Sequence, residues 1–269
     1  MGLSPLSDDS WIETDSSLPR YYQHKLEQRR LHGPKVYRCS EQSGPAEQEL
    51  HDYLLAHLTK EQGGLYQKSE NRLICEPLDL HWSLDSNEPL WNCSLWIADD
   101  LVIMEPINDN YCLTAASLCC PSHWRLEEKF GRPLDEIHDP IPGFHEALTP
   151  RINRFLAHLR PEHSVVRYNW SIQADDVLYQ RPEELQETTI TAQTPLYYRT
   201  ERQSLRRLPL SGAIAFTIRV YLHPLETVAS VPNALRALFR AIDDTPEKLQ
   251  VYKSFDLLSP ALEKYRELR

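Results

Sequence analysis

A chain of 269 residues that is 41 % hydrophobic and 25 % charged has enough apolar side chains to bury one large core, and too many for a disordered chain. Its formal charge is −10, its Lys and Arg are scattered or matched by nearby acids, and no apolar run approaches the roughly 20 residues that span a bilayer, so neither nucleic acid nor membrane is an expected partner. The six cysteines form no CxxC pair and no regular spacing, which argues against a disulfide scaffold or a zinc site and predicts a reduced, cytoplasmic protein.

Residues 1–17 are polar and rich in Ser and Asp, but Trp11 and Ile12 predict an arm docked on the body, with residues 18–269 as one domain. Leu18-Pro19 opens a helix to about Leu31, and Gly44-Pro45 opens a second whose Leu50, Leu54, Leu55 and Leu58 share one face, ended by Gly63-Gly64. From Leu90 the pattern turns to strands: Trp91–Ile97 and Leu101–Pro106, joined through a hairpin turn at Ala98-Asp99-Asp100, and then Tyr111–Cys120. Pro121–Gly143 reads as a long proline-rich loop with a short helix near Leu126–Phe130, followed by a helix over Phe144–Leu159. Strands are predicted over Val165–Ile172, Leu196–Arg207 and Ala213–Leu222, the last two joined by a turn at Pro209–Gly212. Three proline-started helices follow, over Pro232–Ile242, Pro246–Phe255 and Pro260–Leu268. Helices, a meander, a loop and helix, paired strands and helices again predict an α+β fold, an antiparallel sheet with helices packed around it, rather than βαβ alternation.

Nucleotide, phosphate, zinc-protease and serine-hydrolase motifs are all missing. Among eleven histidines, His138 stands out, because it lies in Ile137-His-Asp-Pro-Ile-Pro-Gly143, where Pro140, Pro142 and Gly143 restrict the backbone. A constrained imidazole is what a metal ligand requires, and an ordinary loop histidine is the other reading.

The run Pro121-Ser-His-Trp124, Lys129, Gly131-Arg-Pro-Leu134 and Ile137–Gly143 resembles the central signature of the haem-dependent oxidative N-demethylase family. Gly2–Leu6 with Trp11-Ile-Glu13, Arg29-Arg-Leu31, Arg167 with Asn169-Trp170, Arg199–Pro209 and Phe216-Thr-Ile218 resemble the rest of that family in the same order. The resemblance implies a PAS-like haem-binding fold, haem b with its iron, oxygen-dependent removal of a methyl group from a secondary or tertiary methylamine as formaldehyde, and electrons from a separate flavin or iron–sulfur reductase. The alternative on the same fold is a non-catalytic haem sensor or carrier.

Around such a haem, His138 is the expected proximal ligand, with Cys120 as its thiolate rival and His123 third. Arg167, Arg202 and Arg206 are candidates for the haem propionates. Alternation on the strand Leu196–Arg207 sets Glu201, Gln203, Leu205 and Arg207 on one face, and Arg202, Ser204 and Arg206 on the other. Glu201 and Trp170 are the candidate carboxylate and aromatic wall for a protonated amine, and a core role for Trp170 is the competing reading.

Overall fold

A computed structural model describes residues 2–108, 110–122, 124–137, 149–180 and 189–267. In chain order its elements are β1 (Ser4–Pro5), α1 (Leu18–His32), β2 (Tyr37–Cys39), α2 (Gly44–Glu61), β3 (Gln67–Ser69), β4 (Arg72–Cys75), β5 (Leu80–Ser83), α3 (Pro89–Ser94), β6 (Asp100–Ile107) and β7 (Asn110–Ser117). Then come α4 (Leu126–Lys129), α5 (Leu134–Ile137), α6 (Thr149–His158), β8 (Val165–Gln173), β9 (Tyr197–Arg207), β10 (Ile214–Pro224), α7 (Leu225–Ala229), α8 (Ala234–Asp243), α9 (Glu247–Tyr252) and α10 (Phe255–Arg266).

The fold is α+β. Seven antiparallel strands form the main sheet in the order β1-β8-β9-β10-β6-β7-β2, and β3-β4-β5 form a small second sheet that the sequence reading does not anticipate. Sequential strands thus pair as hairpins, β6 with β7 and β9 with β10, and the pairing of β10 with β6 joins the two halves.

Proline in the first turn starts α1 and α2 as expected. Leu50, Leu54 and Leu58 of α2 are fully buried. The chain then doubles back so tightly that a Cβ on Gly63 would lie 2.9 Å from the Thr59 carbonyl oxygen, which is why glycine ends this helix.

The strand expected over Trp91–Ile97 is instead helix α3, and no hairpin turn exists at Ala98-Asp99-Asp100. Periodicity cannot separate a short apolar strand from a buried helical turn, and Pro89 in the first turn decides for the helix. Asp99 and Asp100 are fully buried rather than at a turn. The ammonium of the equally buried Lys25 holds the non-helical stretch by donating to the carbonyls of Ser94 (2.6 Å), Ile97 (3.1 Å) and Asp99 (2.5 Å). Pro260 lies inside α10 rather than at its start.

The two faces of the main sheet carry different coverings. On one, here the inner face, Val102, Met104, Leu113, Ala116 and Ile214 pack against Leu126, Leu134, Ile137 and Leu156 from α4, α5 and α6. On the outer face, Leu101, Ile103, Ala115 and Ala215 join the largest core with α2, α3, Trp11 and Ile12. Helices α7, α8 and α10 enclose a third core around Phe239, Phe255 and Leu258, closed on the sheet side by Ile172, Trp170 and Tyr198.

Candidate functional site

Alternation and register decide which side chains can meet. Arg167 lies opposite Gln203, Asn169 opposite Glu201, and Ser171 opposite Arg199 across β8–β9, so these polar groups share the inner face. Across β9–β10 the same face continues with Gln203 opposite Ile218 and Leu205 opposite Phe216. Leu205, Phe216 and Ile218 are only half-buried, as are Trp124, Phe130 and Phe155 packed against the same cluster. The inner face is therefore an apolar floor, incompletely covered among the described residues, with a polar rim along β8 and β9.

Glu201 is the focus of that rim. It is buried, and three donors converge on its carboxylate: Gln203 Nε2 at 3.0 Å, Arg199 Nε at 3.2 Å and Asn169 Nδ2 at 3.3 Å. Beside it, Arg167 is half-buried and its Nε has no hydrogen-bond partner among the described residues. Burial holds the Arg167 guanidinium below its ordinary value, and the Glu201 charge partly offsets this. Lys253 reaches the same rim from α9's C-terminal end: its ammonium donates to the Trp170 carbonyl and, at 3.5 Å, to Asn169 Oδ1, and sits 4.8 Å from the centre of the Trp170 ring. Burial lowers the Lys253 ammonium as well, again against the pull of Glu201.

Trp170 lies opposite Thr200, not Glu201, so the two candidate substrate residues point to opposite faces of the sheet. Its indole stacks on Phe255 (5.6 Å between ring centres) and Tyr198 (6.1 Å) in the C-terminal core. Lys253, lying against both the Trp170 ring and the Glu201 rim, is the link between them around the edge of β8.

Arg202 and Arg206 point away from that rim, to the outer face. Arg202 donates to the carbonyls of Trp11 (3.0 Å) and Ser10 and pairs with Glu13 (3.0 Å). Arg206 donates to the Tyr53 hydroxyl and to Asp8 (2.6 Å each) and stacks 4.6 Å over the Trp11 ring. Arg219 of β10 completes the row, donating to Asp15 (3.0 Å) and Ser17 (2.9 Å). The Trp11 indole N–H donates to Ser204 between them (3.2 Å). All three guanidiniums are buried under the N-terminal arm.

Cys120 sits at the corner that follows β7, immediately before Pro121. All four backbone polar groups of Cys119 and Cys120 are satisfied by side chains. The two N–H groups donate to Asp100 (2.9 and 2.7 Å), the Cys119 carbonyl bonds His24 Nε2 (2.8 Å), and the Cys120 carbonyl accepts from Arg199 Nη2 (2.6 Å). Burial pushes the Asp100 carboxyl up to about 6. The Cys120 thiol is driven well above its ordinary value, first by burial and then by the Asp100 charge.

His138 and His123 lie outside the described residues, as do residues 138–148, which include the start of the helix expected from Phe144. Among the described residues no cluster of three metal-ligating side chains occurs, and no helix is long and apolar enough to cross a membrane. The sequence reading did not single out Arg199, Asp100 or Lys253. Arg199 lies within the run quoted for the family resemblance, but its position opposite Ser171 and its reach to residue 120 are properties of the register. A family model described as haem-dependent oxidative N-demethylase, alpha subunit-like, matches residues 2–262.

Proposed function

The chain belongs to the haem-dependent oxidative N-demethylase alpha-subunit-like family, and on that premise we propose that it removes a methyl group from a secondary or tertiary methylamine. The reaction would use a haem b held over the inner face of its sheet, in a PAS-like arrangement. When bound, haem supplies the iron centre at which molecular oxygen is activated; electrons would come from a separate flavin or iron–sulfur reductase, and formaldehyde would leave with the demethylated amine.

The observation that carries this reading is Arg167. A porphyrin needs an apolar face with cations at its carboxylate edge, and the half-buried floor of Leu205, Phe216 and Ile218 ends at a guanidinium whose buried Nε–H lacks an acceptor. Arg202 and Arg206 also leave a buried Nε–H without a hydrogen bond, but their terminal nitrogens are taken by the arm and Tyr53. No donor of Arg167 meets an acceptor among the described residues, and a propionate oxygen would supply one. Arg202 and Arg206, engaged with the arm on the outer face, are proposed as arm anchors in place of propionate ligands.

His138 remains the proposed iron ligand. Ile137, immediately before it, is buried in the cluster over the inner face, which supports a ligand delivered to that side. The rival Cys120 would have to act as thiolate, and its burial favours the thiol. Glu201 is the proposed acceptor for an amine N–H, and the donors around it hold its oxygens in fixed directions before the amine arrives. The contribution of Trp170 is then to hold Lys253 at the strand edge.

The test is to purify the protein with haem supplied, record its visible spectrum, and repeat with His138→Ala. A stoichiometric haem spectrum that changes in the variant is expected; an identical spectrum overturns the ligand assignment. With an electron donor and oxygen, dimethylamine or a related methylamine should release formaldehyde, and no product from a panel of methylamines would leave a haem sensor or carrier.

A further inference from the structure

Arg199 is fully buried, yet its guanidinium touches three separate stretches of chain. Its Nε donates to Glu201 Oε1 (3.2 Å), its Nη2 to the Cys120 carbonyl (2.6 Å), and its Nη1 to the Leu178 carbonyl (3.4 Å), with Gln173 Oε1 at 3.5 Å. The Cys119–Cys120 corner is in turn gripped from the other side by the Asp100 carboxylate. A buried guanidinium is costly unless its donors are used, and here the rigid planar fork is spent on joining elements rather than on a single ion pair.

The elements it joins matter. Cys120 is the last residue before the segment 121–143 that carries His138, and Glu201 is the carboxylate on the floor's rim. We propose that Arg199 is a positioning residue that fixes the Glu201 carboxylate relative to the base of the segment bearing the haem ligand, so that the amine and the haem are held in one frame. This rests on the function proposed above. Arg199 itself touches neither amine nor haem; it acts through Glu201 Oε1 and the Cys120 carbonyl. Lysine cannot replace it, because the donors of an ammonium all radiate from one nitrogen, whereas the partners here are met by three separate nitrogens, Nε, Nη1 and Nη2, spread along a planar fork.

The experiment uses the haem-loaded protein and dimethylamine as the probe, with binding read as a Soret difference spectrum. Arg199→Lys should weaken dimethylamine binding by about tenfold or more, the loss expected for a charge-assisted hydrogen bond, and should also shift the resting ferric spectrum through the loosened corner. Glu201→Gln should weaken amine binding with little change in that resting spectrum. The double variant should lose no more amine affinity than the worse single variant, because the two residues act on the amine as one unit. With Arg199→Ala, added guanidinium ion should restore part of the binding. An Arg199→Lys holoprotein with native affinity and native spectrum, or losses that simply add, would overturn the proposal.

A measurement on the unmutated holoprotein covers the case in which Arg199 variants do not fold. Saturation with dimethylamine should slow deuterium uptake in peptides spanning Cys119–Ser122 and Val177–Gln180, the two stretches tied to Glu201 through Arg199. Unchanged uptake in both would refute the linkage. Failure of the native protein to bind haem or any methylamine would instead sink the underlying function, which separates the two outcomes.

Discussion

Replacing Arg206 by methionine separates the two faces of the sheet experimentally. The side chain is 1 % exposed, donates at 2.6 Å to both Tyr53 and Asp8, and lies 4.6 Å over the Trp11 ring. A charge-assisted hydrogen bond to the half-buried phenol is worth about 1.5–3 kcal/mol. The Asp8 carboxylate is 68 % exposed, so its share is the roughly 0–1 kcal/mol of a surface pair. The ring contact adds about 0.5–1 kcal/mol, and the desolvation relieved by removing a buried guanidinium takes back part of the sum. With the methionine filling the stem's volume, the net loss is about 2–3 kcal/mol, or a melting temperature lower by about 5–10 °C for a chain of this size. Haem affinity should be unchanged. Arg167→Met should do the reverse, leaving the melting temperature near native because no hydrogen bond is lost, and weakening haem binding by about tenfold. Scanning calorimetry of the haem-free proteins beside a haem titration decides the matter. A haem defect in Arg206→Met with native stability would refute the assignment of that face to the arm.

Acid should release the arm before it unfolds the body. His57 packs edge-on against Trp11, 4.9 Å between ring centres, and burial, then the Arg206 charge, depress its imidazole from the usual 6.5 to about 4. The unfolded chain therefore binds a proton that the folded chain refuses between these values, so this contribution is complete above pH 6.5 and lost as the pH falls toward 4, about 3 kcal/mol in all. Tryptophan fluorescence should report arm release over that window, and His57→Gln should flatten the dependence; an equal slope in the variant would contradict it. Asp100 works in the opposite sense. Its folded value near 6 lies above the ordinary 3.8, so the folded state keeps a proton that the unfolded state has released, and stability falls as pH rises between the two. The destabilisation of Asp100→Asn relative to the native protein should therefore shrink between pH 4 and pH 7, and a difference in melting temperature that stays constant would count against it.

Most of the architecture was legible because its signals are local. Proline starts α1 and α2, Leu50, Leu54 and Leu58 spell a buried helical face, and the alternation of Glu201–Arg207 against Arg202–Arg206 states that two chemically different faces exist. What alternation cannot state is which covering each face receives. Trp170 and Glu201 have the aromatic and acidic character suited to an amine, but the β8–β9 register sets Asn169, not Trp170, opposite Glu201. The three-stranded sheet β3-β4-β5 escaped notice because its strands are three or four residues long, too short for alternation to register. The part played by Arg199 was illegible for another reason: its partners at 120, 173 and 178 are brought to it only by the folded sheet and corner.

The arginines of the outer face explain why the arm is part of the fold. Arg202 and Arg219 are directly opposite each other across the β9–β10 ladder, and like charges in that relation repel, more strongly once buried. A bare sheet could leave both to water. Here both are covered, so a counter-charge must come with the cover, and the arm supplies Glu13 to Arg202 and Asp15 to Arg219, with Asp8 for Arg206. Trp11 is inserted between the first and third of these pairs, where its carbonyl accepts from Arg202, its ring lies against Arg206 and its N–H meets Ser204. The acids and the tryptophan at the start of the chain and the basic alternation near residue 200 are thus two halves of one device, and each half read alone suggests a solvated segment or a ligand site. With the outer-face arginines engaged by the arm, Arg199 by the Cys119–Cys120 corner and Arg207 by Leu159 and Tyr111, Arg167 and Lys253 are the cations left beside Glu201 at the rim of the inner face, and it is there that the search for the cofactor's carboxylates belongs.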